Sequence, residues 1–374
     1  MTPDTPSWPL IDQHAMQRAV TLAQGAIGLS DPNPRVGCVI LSAQGDTLGE
    51  GHTQLAGGPH AEVMALRDAR SRGHSLQGAT AYVTLEPCSH HGRTPPCADA
   101  LVEAGLTRVV VAVSDPNPLV CGRGVARLRA AGIQVDIGLA GEAATELNIG
   151  FFSRMQRGRP WVRMKMAGSL DGRTALPDGR SQWITGVAAR TDGHAWRRRA
   201  GAVLTGIGTV LADDPRLDVR LVHTTHQPLR VVLDRRLRMP RQARLLAPPG
   251  RVLIAHAPEA PTSALWPEHV ELIPLGADLP ALLTELSRRE GVNELHVEAG
   301  ARLNAALLQA ELVDELLIYQ APCLIGPGLP LADLPLLASL QRASRWHFVE
   351  VRHIGEDLGL RLRRAQGHPA AAHS

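Results

Sequence analysis

The chain has 374 residues, of which 44% are hydrophobic and 20% charged, which predicts two globular domains and excludes a wholly disordered, collagen-like or coiled-coil protein. Aromatic residues make up 3% and the net charge is +3, so neither base stacking nor charge indicates a nucleic-acid or membrane partner. No apolar run approaches the roughly 20 residues that cross a bilayer, and the first residues lack the basic and apolar segments of a signal peptide, so we expect a cytoplasmic protein.

The first part of the chain alternates helices with strands. Asp12 is predicted to cap a first helix with a small and apolar face, and Asp31-Pro-Asn-Pro34 is predicted to be a break. Strands are predicted over residues 36–41, 79–85, 108–113 and 134–137, and helices over residues 60–72, 98–104 and 125–131. The valine run in 108–113 indicates burial on both sheet faces. The alternation predicts an α/β sandwich.

A second α/β series follows a boundary region. Residues 148–160 have no clear period, so we place the domain boundary there, with domains of residues 1–149 and 150–365. Strands are predicted over residues 161–167, 202–205, 229–233, 251–255, 294–297 and 314–320, and helices over residues 187–199, 279–289 and 302–310. Residues 346–352 and 358–363 are predicted to close the sheet as an antiparallel pair. The polar tail, residues 366–374, is predicted to be disordered.

The strongest motif is His60-Ala-Glu62 followed by two cysteines, Cys88 and Cys97, each preceded by proline. One imidazole and two thiolates supply three zinc ligands and leave a fourth position for water, whose pKa zinc lowers to about 7. Glu62 can then carry a proton from this water to a leaving amine without being a ligand. The pattern is similar to the signature of the zinc nucleobase deaminases.

The spacing of the cysteines leaves one alternative open. Residues 89–96 separate them, whereas the deaminase signature has two residues there. The insert reads Ser-His-His-Gly-Arg-Thr-Pro-Pro and is rich in groups that bind anions. In the alternative, His90 or His91 supplies a fourth ligand and closes a structural zinc site. We prefer a catalytic site, because Glu62 would otherwise have no role.

Other polar and sulfur residues give weaker signals. Asn33 reads as a turn residue, but beside a deaminase pocket its amide can pair with a pyrimidine edge. His52 is open to the same two interpretations, as a solvated loop residue or a substrate contact. The remaining cysteines, Cys38, Cys121 and Cys323, are predicted to be structural.

Longer motifs extend over both halves of the chain. The first half has Asp31-Pro-Asn-Pro-Arg-Val-Gly37 and the cysteine spacing described above. The second half has Lys165-Met-Ala-Gly-Ser-Leu-Asp-Gly-Arg-Thr174, Ser181-Gln-Trp-Ile-Thr185, Thr205-Gly-Ile-Gly-Thr-Val-Leu-Ala-Asp-Asp-Pro215 and Val297-Glu-Ala-Gly300. In this order, over about residues 10–363, the motifs resemble the bifunctional deaminase/reductase family of riboflavin biosynthesis. The resemblance implies an N-terminal cytidine-deaminase-like α/β/α sandwich and a C-terminal dihydrofolate-reductase-like α/β domain.

The resemblance also implies one zinc ion per chain in the first domain and NADPH in the second. The implied NADPH contacts are Ala167, Trp183, Thr209, Asp213, Gly300, Ala301, Arg302, Leu303, Asn304, Ala305 and Ala306. The implied substrate contacts are Ser181, Arg197, Leu217, Arg220 and Glu298. Arg197 and Arg220 suit a phosphate because guanidinium groups bind it with two hydrogen bonds. Arg197 also reads as the first of three arginines on a solvated helix face.

Three basic residues have roles that we infer from their charge. Arg235 stands where we expect a small hydroxyl residue in this family, and Arg235 or Arg236 can hold the 2′-phosphate of NADP instead. Lys165 is the only lysine among 39 basic residues and lies at the end of a predicted strand. We predict that its compact ammonium donates to a ribose oxygen of the substrate. The alternative is that a lone lysine is chance.

The family resemblance implies two successive reactions on one small molecule. The first is zinc-dependent deamination of 2,5-diamino-6-(5-phosphoribosylamino)pyrimidin-4-one. The second is NADPH-dependent reduction of the ribosyl group of 5-amino-6-(5-phosphoribosylamino)uracil. We expect a homo-oligomer with no nucleic-acid or membrane partner. Three alternatives stay open: a nucleic-acid or nucleoside deaminase with an unrelated second domain, a zinc-stabilised binding module without activity, and a chain with only one active half.

Overall fold

The computed structural model describes residues 8–89, 96–118, 120–262, 265–275 and 278–365. The chain divides into two compact units between Gly158 and Arg159. This division lies within the predicted boundary region, residues 148–160, whereas the predicted domain limit after residue 149 falls at the start of a helix that belongs to the first unit. The predicted disordered tail, residues 366–374, lies outside the described residues.

The first unit contains one five-stranded sheet. Its helices are α1 (Leu10–Ala23), α2 (Ala61–Ser71), α3 (Cys97–Glu103), α4 (Arg123–Ala130), α5 (Gly141–Leu147) and α6 (Ile149–Arg157). Its strands are β1 (Gly37–Leu41), β2 (Thr47–His52), β3 (Thr80–Val83), β4 (Arg108–Val111) and β5 (Gln134–Ile137). The sheet order is β2-β1-β3-β4-β5, in which β1 is antiparallel to both neighbours and β3, β4 and β5 are parallel.

Alternate side chains of this sheet enter two separate cores. Cys38 and Ile40 of β1 pack with α2, α3 and α4, whereas Val39 and Leu41 pack with α1 and α5. Successive residues of a strand point to opposite faces, so helices on both sides are needed to bury them. The predicted α/β/α sandwich is therefore confirmed.

The prediction that Asp12 caps the first helix is wrong. Helix α1 begins at Leu10, and Asp12 lies buried in its first turn. Its carboxylate accepts hydrogen bonds from the Tyr82 hydroxyl at 2.6 Å and from two nitrogens of Arg108 at 3.0 and 2.8 Å. Burial alone would raise the pKa of this carboxyl, but Arg108 and Tyr82 hold the pKa below its usual value. Asp12 thus ties α1 to β3 and β4.

Strand β2 and helices α5 and α6 are not predicted from the sequence. Strand β2 contains Gly49 and Gly51, which read as turn residues. A Cβ at Gly49 would lie 2.3 Å from the Ala65 carbonyl oxygen, and one at Gly51 would lie 2.5 Å from Met64 Cβ. Helix α2 therefore packs directly on a strand that must lack side chains at these two positions.

The second unit contains a nine-stranded sheet and a small two-stranded one. Its helices are α7 (Val187–Arg199), α8 (Ile207–Asp213), α9 (Leu279–Arg288) and α10 (Ala301–Gln309). Its strands are β6 (Trp161–Ser169), β7 (Arg173–Ala175), β8 (Ala202–Gly206), β9 (Leu229–Leu233), β10 (Val252–Ala255), β11 (Val270–Ile273), β12 (Glu294–Val297), β13 (Glu315–Ala321), β14 (Leu329–Pro330), β15 (Trp346–Ile354) and β16 (Asp357–Arg364). The order of the large sheet is β11-β10-β9-β8-β12-β6-β13-β16-β15, and β7 pairs with β14.

The large sheet is parallel except at one edge. The seven strands from β11 to β13 are parallel, and β16 and β15 are antiparallel, which confirms the predicted closing pair. Helices α9 and α10 cover one face, whereas α7 and α8 supply residues to clusters on the other. Among the described residues, each helix is too short or too polar to cross a membrane.

A buried charge cluster fixes α7 to the large sheet. The guanidinium of Arg163, on β6, donates to Glu294 at 2.7 Å and to Glu315 at 2.5 Å. Arg199, at the end of α7, donates to the same Glu294 at 2.8 Å. The ring of Trp196, also on α7, lies 4.2 Å from the Arg163 guanidinium carbon. Charges buried in this way are tolerated because each is paired.

Candidate active sites

The three predicted zinc ligands converge in the first unit. His60 is the residue before α2, Cys97 begins α3, and Cys88 lies in the loop after β3. Their ligand atoms lie within 4.8 Å of one another, and His60 Nδ1 is 3.3 Å from Cys97 Sγ and 3.6 Å from Cys88 Sγ. Within the described ranges, this is the one cluster of His, Cys, Asp and Glu side chains suited to a metal.

The donor chemistry of the triad fits a divalent cation. The hydrogen bond between the two sulfurs lowers the pKa of the Cys88 thiol to about 4 and raises that of the Cys97 thiol. One thiolate therefore forms readily, and its charge opposes formation of the second. A cation between the sulfurs offsets this repulsion. Two thiolates and one imidazole form a donor set that zinc binds.

Glu62 lies beside the triad, in the first turn of α2. Its side chain is 3% exposed and lines a cavity. Burial raises the pKa of its carboxyl to about 7, and Cys88 adds to this rise while His60 opposes it. A cation at the triad would lower this pKa through its charge. Glu62 is therefore a buried carboxyl that lines the cavity beside the triad.

The cavity has a volume of about 490 Å³, which lies within the range of small-molecule sites. Its walls come from loops that meet at one edge of the five-stranded sheet. They precede β1 or follow β2, β3 and β4, and helix α6 closes one side. The lining includes Asn33, Thr53, Gly58, His60, Glu62, Glu86, Cys88, Asp115, Asn117, Phe151 and Arg154.

A repeated tetrapeptide lines this cavity, and sequence reasoning missed its second copy. Asp115-Pro-Asn-Pro118 repeats Asp31-Pro-Asn-Pro34, and residues of both copies form the wall. The repeat itself was a signal that could have identified the second loop. The carboxylate of Asp115 accepts a hydrogen bond from the backbone N–H of Asn117 at 2.8 Å, which shapes the turn.

The side chain of Glu86 holds the second loop, which carries Asp115, in place. Its carboxylate accepts hydrogen bonds from four backbone N–H groups, those of Asp115 at 3.3 Å, Gly122 at 3.0 Å, Gly124 at 3.0 Å and Val125 at 3.2 Å. Glu86 stands two residues before Cys88. The loop that carries the predicted ligand Cys88 and the loop that carries Asp115 are therefore held by one buried carboxylate.

His52 lies at the end of β2, outside the described lining of the cavity. Its Nδ1 is 3.1 Å from the Thr53 carbonyl oxygen, and its ring packs against Gly25. Its role as a substrate contact stays a prediction. His90 and His91, the alternative fourth ligands, lie outside the described residues. Of the other cysteines, Cys38 is buried, whereas Cys121 and Cys323 are exposed.

In the second unit, Lys165, Arg197 and Glu298 lie close enough to affect one another's pKa. Arg197 donates from Nε and Nη2 to the Glu298 carboxylate, with the Nη2 bond at 2.9 Å. Burial alone would raise the pKa of Glu298, but Arg197 and Lys165 hold it well below its usual value. Burial lowers the pKa of the half-buried Lys165, whose Nζ lies 5.9 Å from the centre of the Tyr319 ring. Arg197 is therefore an ion-paired residue and not a solvated one.

The loop after α8 carries the predicted contacts Leu217 and Arg220. Leu217 is buried with a left-handed backbone (φ 54°), and Arg220 binds Asp218 at 2.6 Å. His194, on α7, accepts a hydrogen bond from the Arg220 amide at 3.2 Å. Burial lowers the pKa of His194 to about 4, and Arg197 and Arg220 add to the effect, so the ring is neutral at pH 7. Sequence reasoning missed His194 because no motif or periodic pattern marks its contact with Arg220, 26 residues away.

A larger cavity of about 1300 Å³ collects most of the predicted cofactor contacts. Its lining includes the predicted residues Thr209, Arg235, Gly300, Ala301, Arg302, Leu303 and Ala306. The charged residues of the described lining are four arginines and two acidic residues: Arg235, Arg236, Arg238, Arg302, Glu259 and Asp333. The net charge of this lining is therefore positive. Gly300 precedes α10. The backbone N–H groups at the N-terminus of a helix can bind an anion such as a phosphate.

Five other predicted cofactor contacts, and the predicted substrate contact Ser181, lie outside the described lining of this cavity. Asn304 is buried and donates to the Leu331 carbonyl at 2.9 Å, and Ala305 is buried on the core side of α10. Trp183 is exposed beneath the Arg190 guanidinium, and Ser181 lies in the same loop. The last two are Ala167 on β6 and Asp213 at the end of α8, where burial raises the pKa of the carboxyl.

Family models match both units. Residues 10–113 match the cytidine and deoxycytidylate deaminase zinc-binding region, and residues 160–360 match the RibD C-terminal domain. The chain is 47% identical over 369 residues to the riboflavin biosynthesis protein RibD of Escherichia coli, covering 94% of this chain and 99% of the relative. RibD of Aquifex aeolicus is 42% identical, with 95% and 99% covered.

Solved structures agree with these matches over nearly the whole chain. Acinetobacter baumannii RibD is 44% identical with a TM-score of 0.87, covering 95% of this chain and 99% of that one. A Thermotoga maritima diaminohydroxyphosphoribosylaminopyrimidine deaminase/5-amino-6-(5-phosphoribosylamino)uracil reductase is 34% identical with a TM-score of 0.88 and the same coverage. One chain therefore contains a deaminase unit, with a cysteine and histidine triad, and a reductase unit, with a cationic cavity. The chain belongs to the RibD family of bifunctional deaminase/reductases of riboflavin biosynthesis.

Proposed function

We propose that the first unit hydrolyses 2,5-diamino-6-(5-phosphoribosylamino)pyrimidin-4-one to 5-amino-6-(5-phosphoribosylamino)uracil and ammonia. The second unit then reduces the ribosyl group of this uracil to ribityl with NADPH. The observation that carries the proposal is the convergence of His60, Cys88 and Cys97 beside Glu62 at a cavity of small-molecule size. The similarity to the Thermotoga maritima protein, which is named for both activities, supports the choice of substrates.

We assign a zinc ion to the triad, held by His60 Nδ1 and the two sulfurs. When bound, zinc supplies Lewis-acid activation of water at neutral pH. Glu62 accepts a proton from the attacking water and delivers it to the amino group that leaves as ammonia. The carbon–oxygen bond forms first by addition to the ring carbon, and the carbon–nitrogen bond then breaks, so the products are the uracil and ammonia. Burial of Glu62 keeps its carboxyl inside the cavity, where it faces the substrate.

The metal assignment predicts that Cys88→Ser loses zinc and deamination together. A hydroxyl is a harder and less acidic donor than a thiol, so it binds zinc poorly. Metal analysis of the purified variant and ammonia release measure the two losses. Cys121→Ser is the matched control, because Cys121 is an exposed thiol outside the triad. Full zinc occupancy in Cys88→Ser would contradict the ligand assignment.

The proton-transfer assignment predicts that Glu62→Gln keeps zinc and fold but deaminates about 10²–10⁴-fold more slowly. Glutamine has a similar shape, but it cannot accept and return a proton. Ammonia release measures the loss, and metal analysis checks the zinc content. The reductase should still consume NADPH at the normal rate when it is given the deaminated substrate. A near-normal deamination rate would remove Glu62 from this role.

In the second unit, we assign substrate binding to Lys165, Arg197, Leu217, Arg220 and Glu298, with Ser181 from the neighbouring loop. When bound, NADPH supplies the hydride for C1 of the open-chain sugar. Glu298 holds the Arg197 guanidinium, and the charge of Glu298 also favours the ammonium form of Lys165. The ammonium can then donate to a ribose oxygen and hold the open-chain form. No covalent bond to the protein is required.

Lys165→Arg should fold, bind zinc and deaminate normally, while NADPH oxidation falls about 10–100-fold, the effect of one misplaced charge-assisted hydrogen bond. A planar guanidinium cannot replace a compact ammonium at a half-buried position. Separate assays of ammonia release and NADPH oxidation measure the two activities. Equal loss of both activities would indicate a structural role, and retention of both would show that Lys165 is incidental.

The cofactor is assigned to the cationic cavity, with Arg235 or Arg236 on the 2′-phosphate of NADPH. The double variant Arg235→Ser, Arg236→Ser should reduce the NADPH/NADH ratio of kcat/KM about 10–100-fold, because it removes charge-assisted hydrogen bonds. Arg288→Ser is the control, since Arg288 is an exposed arginine of the same unit outside the described lining. An unchanged ratio in the double variant would place the 2′-phosphate elsewhere.

We also propose that the protein is a cytoplasmic homo-oligomer. Strand β15 forms one edge of the large sheet, with exposed Phe348 and Val351, and such edges pair readily with other chains. A second copy of the chain would cover these two side chains, and a single monomeric species in sedimentation would contradict the proposed homo-oligomer.

A cytoplasmic location suits the thiolate ligands Cys88 and Cys97, because reducing compartments keep thiols free.

A further inference from the structure

His194 is a buried histidine on helix α7 of the reductase unit. It lies one turn before Arg197, and its side chain is 4% exposed. The charges of Arg197, Arg220 and Glu298 are close enough to its ring to shift its pKa. Residues three apart in a helix lie on the same face, so His194 and Arg197 can contact the same segment of the chain. His194 therefore adjoins the residues assigned to the reductase substrate.

That segment is a loop of residues 217–220, and side chains from outside it hold its backbone. The N–H of Val219 donates to Gln227 Oε1 at 2.7 Å, and the Val219 carbonyl accepts from Gln227 Nε2 at 2.8 Å. The carbonyl of Asp218 accepts from Arg197 Nη1 at 2.9 Å. Two successive residues of the 217–220 loop are thus fixed at their backbone atoms.

The contact with His194 fixes the last residue of this loop, Arg220. The Arg220 N–H donates to His194 Nδ1 at 3.2 Å, and the Arg220 guanidinium donates to the Asp218 carboxylate at 2.6 Å. A nitrogen that accepts a hydrogen bond carries no proton, so the neutral ring of His194 has its proton on Nε2. An N–H group that loses its acceptor inside a protein is unfavourable. His194 therefore stabilises this position of Arg220.

Only the neutral form of His194 can accept this hydrogen bond. A protonated imidazole has two donors and no acceptor, and its charge would repel Arg197 and Arg220. Burial and the charges of these two arginines lower the pKa of His194 to about 4, while Glu298 and Asp218 oppose the change only in part. The ring is therefore an uncharged acceptor at pH 7, and it adds no negative charge that would weaken the attraction of the arginines for a phosphate.

We propose that His194 is a positioning residue of the reductase, which holds Arg220 and the 217–220 loop where they bind the phosphate of the phosphoribosyl substrate. This inference rests on the proposed function, because that function assigns Arg197 and Arg220 to this substrate. His194 contacts no reacting atom and acts through the Arg220 N–H. Its loss therefore weakens substrate binding more than it slows hydride transfer. Binding of NADPH is unaffected, because His194 lies outside the described lining of the cationic cavity.

The test varies the acceptor at position 194 in the full-length protein. Leucine removes the acceptor, whereas asparagine carries Oδ1 on Cγ, where histidine carries Nδ1. His194→Leu should raise KM for 5-amino-6-(5-phosphoribosylamino)uracil about 10-fold, the effect of leaving one buried donor without its acceptor. Its KM for NADPH and its ammonia release should stay unchanged. His194→Asn should recover most of the loss. His226→Leu is the matched control, because His226 is an exposed histidine that follows the 217–220 loop.

Hydrogen exchange of the Arg220 amide gives a second measurement that does not depend on turnover. Exchange should be faster in His194→Leu and return towards the wild-type rate in His194→Asn. If His194→Leu does not fold, His194→Gln takes its place, because its Oε1 lies one bond farther from the backbone and misses the Arg220 N–H.

Three results would overturn the proposal. They are an unchanged KM for the uracil in His194→Leu, an equal rise of this KM in His194→Leu and His194→Asn, and a parallel rise of KM for NADPH, which indicates a general structural role. A wild type that oxidises no NADPH with this uracil would instead contradict the proposed function. The exchange of the Arg220 amide would still show whether His194 holds Arg220.

Discussion

The direction of the strands determines where both cavities form. In the first unit, Cys88 follows β3 and Asp115 follows β4, and the antiparallel β1 brings Asn33 to the same edge. In the second unit, Gly206 and Gly300 stand at the carboxyl ends of the parallel strands β8 and β12. Carboxyl ends of parallel strands leave a crevice in which ligands bind. The two units carry different side chains, but the same constraint brings those side chains together.

Buried ion pairs fix the position of helix α7 and, with it, the position of Arg197 in the reductase unit. Arg199 joins the cluster of Arg163 and Glu294, which fixes the helix to the sheet. Two positions earlier on the same helix, Arg197 reaches Glu298. Breaking a buried pair typically costs about 3–5 kcal/mol, because it leaves a charge without its partner. The position of Arg197 therefore depends on ion pairs as well as on apolar packing.

Sequence reasoning succeeded where residues form a periodic pattern or a known motif, and failed where they do neither. The period of the apolar residues predicted most strands of both sheets, and the spacing of His60 and Cys88 predicted a pair that the structure brings together. Strand β2 was missed because close packing of α2 requires glycines, which resemble a turn. The partners of Asp12 and His194 were missed because contacts between distant residues leave no periodic pattern. Helix α6, and with it the cavity residue Arg154, was missed for lack of a clear period.

The division of one chain between Gly158 and Arg159 has a consequence for metabolism. Two separate proteins can be synthesised in any proportion, whereas one chain delivers deaminase and reductase units in a fixed ratio of one to one. A change in expression therefore raises or lowers both activities together and leaves their balance unchanged. The ratio of the two catalytic units is thus fixed by the covalent link between them and does not change with the level of expression.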